Sequence, residues 1–357
     1  MEGTYLEVRL RKIAENASRI REACGRRGVD VLAVTKGFAA IPEIVRAIEE
    51  GGIRRFADSR LMNIKALRDQ GFSNEITLLR IPMISLAAQT VRYADVSLNS
   101  EYAAMEALSE AARAAGKVHQ VVMMVELGDL REGMLPLEAV YTCKKAAKLP
   151  GIRVVGVGTN MGCYGGILPT QDNLSVLRLV AQAVREETGL ALPVVSGGGT
   201  SSLKLVYDGT MPEGINQLRI GEGLLLGTDT TRGDVIPWLE QNAFTLRAEI
   251  VEIKDKPSRP IGEIGRDAFG NIPEFADEGI MRRAIVAVGK QDVQPAEITP
   301  VDPGIRVLGA SSDHTILNIG NSEQHYRVGD RISFRLSYAA MLTLCTSGYI
   351  AKKMVRE

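Results

Sequence analysis

The chain has 357 residues, 45% of them hydrophobic and 24% charged, which is enough to bury the core of one large domain or of two ordinary ones. Its 43 Lys and Arg residues balance its 43 Asp and Glu residues, so the charge indicates neither a nucleic-acid partner nor a membrane surface. No apolar run approaches the roughly 20 residues of a membrane-spanning helix.

Short apolar runs alternate with helical segments through the first two thirds of the chain. Segments such as EYAAMEALSEAARAAGK place apolar residues at i, i+3 and i+4 and end at Gly, as amphipathic helices do. Strands that alternate with such helices form parallel sheets, and eight units predict a (β/α)8 TIM-type barrel, with a doubly wound open sheet as the alternative. The predicted strands are VDVLAVTK, RRFADS, EITLLRIP, DVSLNS, VHQVVMMVELG, IRVVGVGTNMG, LPVVSGGG and NQLRIGEG.

The pattern of predicted secondary structure changes at Phe244. Runs such as TLRAEIVEIKDKP, RRAIVAVGK and RVGDRISFRLSY follow one another without long helices and are divided by Gly, Pro, Asn and Asp. The sequence therefore predicts an α/β barrel domain in residues 1–241, followed by a C-terminal all-β domain in residues 242–357.

The cysteines and histidines favour a reduced protein without a metal. The four cysteines are far apart and include no CxxC pair, and the first residues contain no apolar signal-peptide stretch, so we expect a cytoplasmic location. The three histidines have no metal-ligand spacing, and we expect no metal site.

Polar residues follow several predicted strands, at the end where barrel enzymes place their active sites. Lys36 follows the first strand, Arg131 the fifth and Asn160 the sixth. SGGGTSS and RIGEG follow the seventh and eighth strands, where barrels commonly bind phosphate, and glycines let backbone N–H groups approach an anion closely. Tight turns are the alternative explanation for the glycines, and a solvated side chain is the alternative for Lys36.

A strand-end lysine, a phosphate loop and a neighbouring arginine together suggest pyridoxal 5'-phosphate. The amine of Lys36 would bond to the aldehyde of the cofactor, and neighbouring cations or burial would lower its pKa. A sugar-phosphate enzyme without a cofactor is a more distant alternative.

Longer motifs extend along nearly the whole chain, in the order VTKG, FADSR, LLRIPM, VELGDLREGM, NMGCYGG, VSGGGTSS, LRIGEGLLLG, PIGEIGRDAFG and LGASSDH. Together they resemble those of the alanine-racemase-like, fold-type III pyridoxal-phosphate enzymes. The resemblance implies a barrel with a C-terminal β domain, and a homodimer whose active sites are shared between subunits. It also implies a racemase that interconverts L- and D-enantiomers of a basic amino acid such as ornithine or lysine.

The resemblance assigns roles to three basic residues. Lys36 is similar to the lysine that binds the cofactor covalently. Arg219 matches the arginine of an R-x-G motif that donates to the pyridine nitrogen, which would leave that nitrogen unprotonated and favour proton exchange over transamination. Arg131 matches the arginine near the substrate carboxylate. The alternatives are a surface ion pair for Arg219 and a loop salt bridge with Glu126 or Asp129 for Arg131.

Further cofactor contacts are implied by the same resemblance. Asn160 stands where alanine racemases carry a histidine against the ring. Tyr338 resembles a C-terminal tyrosine that reaches the phosphate, with a core tyrosine of the β domain as its alternative. The other implied phosphate contacts are Thr200, Ser201, and the backbone N–H groups of Gly221 and Glu222.

The sequence also departs from the alanine racemase pattern at Met124 and in PIGEIGRDAFG. Met124 stands where many of those enzymes carry a modified lysine that supports the substrate arginine. PIGEIGRDAFG corresponds to the stretch with their second catalytic base, a tyrosine, but contains none. We predict Asp267 as that base, with a structural role in the Gly-flanked turn as its alternative. Asp313 and His314 are predicted to contact the substrate.

Two other functions are known on the fold that the sequence resembles. One is that of small, non-catalytic pyridoxal-phosphate carriers, which end after the barrel, whereas this chain continues for more than a hundred residues. The other is that of lyases of the D-serine dehydratase or D-threonine aldolase type, which need a divalent metal, usually with a His-x-Cys pair that this sequence lacks.

Overall fold

The computed structural model describes residues 3–356, which divide into two units. One unit contains residues 11–241, and the other combines residues 3–10 with residues 242–356. Strand β1 (Tyr5–Arg9) continues directly into helix α1 (Leu10–Gly25).

The first unit is a closed barrel of eight parallel strands, which confirms the predicted (β/α)8 architecture. Each predicted apolar run contributes one strand, and the first strand pairs with the last to close the ring. The strands are β2 (Asp30–Val34), β3 (Arg55–Asp58), β4 (Ile76–Leu78), β5 (Val96–Asn99), β6 (His119–Met124), β7 (Ile152–Gly158), β8 (Val194–Ser196) and β9 (Gln217–Ile220).

Helices follow the barrel strands and pack around them. The longest of these is capped at both ends, because Thr170 and Asn173 form a reciprocal capping box and Gly189 ends the helix with a φ angle of 70°. The helices are α2 (Pro42–Glu50), α3 (Leu61–Asp69), α4 (Ala87–Tyr93), α5 (Tyr102–Ala114), α6 (Pro136–Ala146), α7 (Gln171–Thr188), α8 (Leu203–Asp208) and α9 (Glu222–Leu226).

Successive residues of a barrel strand face two different cores. In β6, Val121 and Met123 pack beneath the outer helices, whereas Val122 and Met124 pack inside the barrel. Strands buried on both faces read as continuous apolar runs, which is why the sequence shows them so clearly. A short hairpin of β10 (Thr228–Asp229) and β11 (Asp234–Val235) follows the barrel.

The second unit is built on a mainly antiparallel sheet, as predicted. Its central strand is long and pairs with several neighbours. The strands are β12 (Phe244–Pro257), β13 (Ile280–Val286), β14 (Ile298–Pro300), β15 (Arg306–Ala310), β16 (Thr315–Asn318), β17 (Arg331–Leu336) and β18 (Ala351–Val355).

Two features of the second unit differ from the prediction. Residues 3–10, assigned by sequence to the barrel domain, belong to the second unit because β1 pairs with β12 and with β18. The unit also contains helix α10 (Tyr338–Thr346), which begins where Ser337 accepts the N–H of Ala340. A hydroxyl cap followed by AAMLTLC favours a helix over continuation of β17.

No helix within residues 3–356 combines the length and the apolar character needed to cross a lipid bilayer.

Candidate active site

Lys36 lies at the carboxyl end of β2 and opens a short 3-10 helix, Lys36–Phe38. Ala39 and Ala40 follow with φ angles of 52° and 53°, a left-handed conformation that turns the chain sharply away from the strand. Lys36 is partly buried, and burial lowers the pKa of its ammonium group. Its amine is therefore more often neutral than that of a solvated lysine, and so better suited to act as a nucleophile or a base.

A buried carboxylate, that of Asp58 at the end of β3, lies within electrostatic range of Lys36. The hydroxyl of Thr35 donates to its Oδ2 at 2.5 Å. The N–H of Arg60 donates to Oδ1 at 2.7 Å, and the amide of Asn63 donates at 3.1 and 3.2 Å. Burial raises the pKa of Asp58 by more than these hydrogen bonds and the charge of Lys36 lower it. Its negative charge in turn raises the pKa of Lys36, against the effect of burial.

Arg219 lies on β9, in register with Leu32 of the adjacent β2, and only 5% of its surface is exposed. Its guanidinium donates to the hydroxyl of Ser196 and, through Nη2, to the carbonyl oxygen of Thr159 at 2.6 Å. Burial lowers the pKa of Arg219 to about 10, below the value expected of an exposed arginine but high enough to keep it charged at neutral pH. Arg219 is therefore not part of a surface ion pair, which was its alternative role.

The loops after β8 and β9 meet at two helix starts. The 3-10 helix Thr200–Ser202 begins after the glycine run, and α9 begins at Glu222 with Gly221 as its cap. Oγ1 of Thr200 accepts the N–H of Gly223 at 3.2 Å and so joins the two loops. The first N–H groups of a helix have no partner within the helix, which makes such starts suitable for anions.

The carboxylate of Glu222 is held by two threonines. Its Oε1 accepts the hydroxyl of Thr228 at 2.7 Å, and the N–H and hydroxyl of Thr230 at 3.0 and 2.6 Å. These bonds satisfy the negative charge of the side chain locally. The backbone N–H of Glu222 stays a predicted phosphate contact.

A phosphate group fits the donors that these loops provide. A Cβ at Gly162 would lie 2.7 Å from Oγ1 of Thr231 and 3.1 Å from Oγ of Ser201, so glycine preserves a space beside the hydroxyls. Hydroxyl groups of Thr200 and Ser201, together with the N–H groups of two helix starts, form a donor set that matches a phosphate dianion.

Asn160 and Cys163 lie on the loop after β7. Nδ2 of Asn160 donates to Sγ of Cys163 at 3.1 Å. Cys163 is exposed, and its charge in the thiolate form would raise the pKa of Lys36, Arg131 and Arg219. These three cations therefore lie within electrostatic range of Cys163, although they lie on or follow three different strands.

Arg131 lies on the loop after β6 and pairs with its neighbour in sequence. Nε and Nη2 donate to the two carboxylate oxygens of Glu132, and this pairing raises the pKa of Arg131. The predicted alternative partners have other roles. Glu126 accepts the backbone N–H of Arg131 at 3.2 Å, and the buried Asp129 accepts three backbone N–H groups of the loop after β7.

In the second unit, Asp267 organises a turn. Its Oδ1 accepts the N–H groups of Asn271 at 2.8 Å and Phe269 at 2.9 Å, and Nζ of Lys290 lies 3.7 Å from its Oδ2. The hydrogen bond from Asn271 is the main reason that the pKa of Asp267 is lowered. A lower pKa makes a carboxylate a weaker base, so these contacts are those expected of the structural alternative.

The other predicted residues of the second unit lie at a turn and at a helix start. Asp313 and His314 are exposed between β15 and β16, where the N–H of Ser311 donates to the carbonyl oxygen of His314 at 2.8 Å. Tyr338 is partly buried and is the first residue of α10.

A family model for the alanine racemase N-terminal domain matches residues 8–229 of the chain. The chain belongs to the alanine racemase family. It is 44% identical to an ornithine racemase of Acetoanaerobium sticklandii over 98% of this chain and 99% of that one. It is 38% identical to a lysine racemase of Thermotoga maritima over 97% of both chains.

The fold is also that of solved alanine racemases. The enzyme from Streptomyces lavendulae superposes with a TM-score of 0.78 at 19% identity, covering 99% of this chain and 97% of that one. An alanine racemase from Bacillus anthracis superposes with a TM-score of 0.76 at 17% identity, covering 100% and 96% of the two chains.

Within this member of the alanine racemase family, two acidic residues near Lys36 received no role from the sequence. The sequence offered two signals of such a role: Asp58 lies at the end of a predicted strand, and Glu132 adjoins Arg131. Their partners became visible only in the fold. The predicted residues that the first unit gathers at the carboxyl ends of its strands are Lys36, Arg131, Asn160, Thr200, Ser201, Arg219, Gly221 and Glu222.

Proposed function

We propose that this chain, an amino-acid racemase by its family and its full-length relatives, uses pyridoxal 5'-phosphate and interconverts the enantiomers of ornithine or lysine. Both full-length relatives carry the name of a racemase for a basic amino acid. The observation that carries the proposal is the partly buried Lys36, with its lowered pKa, on a barrel that also presents the phosphate donors and the buried Arg219.

The cofactor would supply a ring that withdraws electrons from the amino acid and so acidifies the hydrogen on Cα. Lys36 would hold the cofactor covalently and exchange the Cα proton on one face of the substrate. Thr200, Ser201, and the backbone at Gly221 and Glu222 would hold the phosphate. Arg219 would donate to the ring nitrogen, which a group charged at neutral pH can do without giving up its proton.

The substrate would be positioned by groups beside Lys36. Arg131 would bind the α-carboxylate, since a guanidinium matches a carboxylate with two parallel hydrogen bonds. Asn160 would lie against the cofactor ring. Tyr338 would complete the phosphate site.

A racemase needs a second base on the opposite face of Cα. We propose Asp267 of a partner subunit for this role, with Asp313 and His314 contacting the substrate. The lowered pKa of Asp267 weakens it as a base, so this assignment rests on the sequence rather than on its contacts. Asp267→Asn should keep the bound cofactor and lose Cα exchange from one enantiomer, and a fully active variant would remove Asp267 as the second base.

A homodimer is supported by exposed apolar side chains on one segment of the second unit. Between β12 and β13, Ile261 is 92% exposed, Ile272 65% and Phe269 49%. Apolar side chains gathered on one surface segment are typical of a site that a second protein surface covers.

Borohydride reduction followed by peptide mapping tests the cofactor assignment. The pyridoxyl group should appear on Lys36, and Lys36→Ala should lose both the label and racemisation in at least one direction. Lys204→Ala is the matched control, since Lys204 is an exposed helix lysine paired with Asp208. A label on any other lysine would overturn the assignment.

Cα exchange in deuterated solvent, measured on a panel of L- and D-amino acids, tests the reaction itself. Exchange with both enantiomers of ornithine or lysine supports the racemase. Elimination products that disappear with a chelator would instead support the lyase alternative, and cofactor binding without exchange would support the non-catalytic carrier.

A further inference from the structure

The carboxylate of Glu132 interacts electrostatically with three cations of the site. Its carboxylate binds the guanidinium of Arg131, and its charge raises the pKa of Lys36, Arg131 and Arg219. Only 19% of its side chain is exposed. A carboxylate this far from solvent needs a cationic partner, because burial of an unpaired charge is strongly unfavourable.

Backbone hydrogen bonds of Met134 with Met124 and Glu126 close the base of the loop that carries Glu132. We call this closed base the neck of the loop. The N–H of Glu126 donates to the carbonyl of Met134 at 2.8 Å, and the N–H of Met134 donates to the carbonyl of Met124 at 2.9 Å. Gly133 makes this closure possible, since a Cβ there would lie 2.7 Å from the nitrogen of Glu126. Glu132 is thereby fixed next to the end of β6 rather than on a free loop.

A substrate changes the charges around Glu132. When the α-carboxylate of an amino acid binds Arg131, two carboxylates compete for one guanidinium. An amino acid with a neutral side chain then leaves Glu132 without a full partner in a partly buried place. A diamino acid brings a second ammonium group, which supplies the missing partner.

We propose that Glu132 binds the side-chain ammonium of the substrate and thereby selects diamino acids over neutral ones. The inference rests on the proposed racemase function and identifies the residue that sets its substrate class. The alternative is a purely structural role, in which Glu132 only orients Arg131. Glu132 would then support the Arg131 side chain in place of Met124, which cannot do so because it is apolar and fully buried. The two roles predict different substrate profiles.

The test compares ornithine with norvaline, which has the same carbon chain without the terminal amine. Glu132→Gln should lower kcat/KM for ornithine by about 10- to 100-fold, the value of one charged hydrogen bond, and leave norvaline unchanged or improved. Equal losses on both substrates would overturn the inference in favour of the structural role. Glu138→Gln is the matched control, because Glu138 is an exposed glutamate in the first turn of α6.

A second variant keeps the inference testable if Glu132→Gln fails to fold or to bind the cofactor. Glu132→Asp keeps the charge on a side chain one methylene shorter, so it should shift the preference from ornithine towards lysine, whose chain is one methylene longer. An unchanged ratio of the two rates would contradict the inference. Wild-type protein that exchanges the Cα proton of no amino acid would overturn the proposed function itself, which separates the two failures.

Discussion

At the scale of single residues, the pKa of Lys36 depends on several opposing influences, of which burial is the largest. Burial lowers the pKa of its ammonium, and the neighbouring carboxylate of Asp58 raises it. Asp58 is held in place by Thr35, Arg60 and Asn63, so its carboxylate has a defined position at the end of β3. The neutral fraction of Lys36 is therefore a property of this small group of residues and not of the lysine alone.

Asp58→Asn should lower the pKa of Lys36, because it removes a negative charge that favours the ammonium form. Only the neutral amine can attack an aldehyde. The rate at which pyridoxal phosphate attaches to cofactor-free protein, followed by absorbance across a pH series, should therefore reach its plateau at a lower pH in the variant. Asp69→Asn, at an exposed ion pair with Lys65, should leave the profile unchanged. A profile shifted to higher pH would contradict this account.

At the scale of structural elements, the loop between β6 and α6 carries Arg131 and Glu132 on a neck that only glycine permits. Gly133 has a φ angle of 141° and approaches the backbone of Glu126 closely. The neck joins the end of a buried strand to the start of a helix, so distortion there moves the two side chains that are proposed to bind the substrate.

Gly133→Ala should displace this neck and lower the free energy of unfolding by about 1–3 kcal/mol. It should also raise the KM for the substrate, since Arg131 and Glu132 lie next to it. Gly128→Ala is the matched control. Gly128 also has a positive φ angle, 115°, but the nearest atoms to an added Cβ are side-chain carbons of Ile167 at 3.8 and 3.9 Å. Equal effects of the two substitutions would show that the close approach at Gly133 is unimportant.

The contact between β5 and β6 contains a buried histidine. Nε2 of His119 lies 2.9 Å from the hydroxyl of Ser97, and burial lowers the pKa of His119 to about 4 from the usual 6.5. Above pH 6.5 the histidine is neutral in both the folded and the unfolded chain. Below pH 6.5 only the unfolded chain gains the proton, so the folded state is progressively disfavoured until about pH 4.

The free energy of unfolding should therefore fall by about 1.4 kcal/mol per pH unit below 6.5 through this residue, to a total loss of about 3 kcal/mol. Urea unfolding of the wild type and of His119→Gln at pH 7.5 and 5.5 measures this contribution. The variant should lose less stability than the wild type between these pH values. A variant with the same or a steeper loss would refute the assignment.

At the scale of the whole molecule, the exposed apolar side chains between β12 and β13 predict self-association. Ile261→Asp and Ile272→Asp should weaken the homodimer by placing a charge where an apolar surface is expected to be covered. Light scattering should show a dimer for the wild type and a shift towards monomer for both variants, with reduced activity at low protein concentration. Val328→Asp, at a side chain that is 61% exposed elsewhere in the same unit, is the control. A fully active wild-type monomer would contradict the proposal.

Much of the architecture is encoded locally and can be predicted from the sequence. The barrel strands are buried on both faces, so each appears as an apolar run, and each run ends at a turn or glycine. The positions of Lys36, Arg219 and the glycine-rich loops at strand ends could be predicted for the same reason, since these positions follow from the strand pattern. The first strand escaped prediction although YLEVR alternates between buried and partly buried residues, because it runs directly into α1 and its partners lie more than two hundred residues away.

The residue types at the ends of the barrel strands, and the enzyme family that they resemble, can be read from the amino-acid sequence alone. Their pairing follows from the folded chain. Asp58 comes to Lys36 through the pairing of β2 with β3, and Glu132 comes within range of Arg219 because the barrel closes. Such pairings depend on distances between residues far apart in the chain, and on burial that makes each charge depend on its partner. No local pattern contains that information.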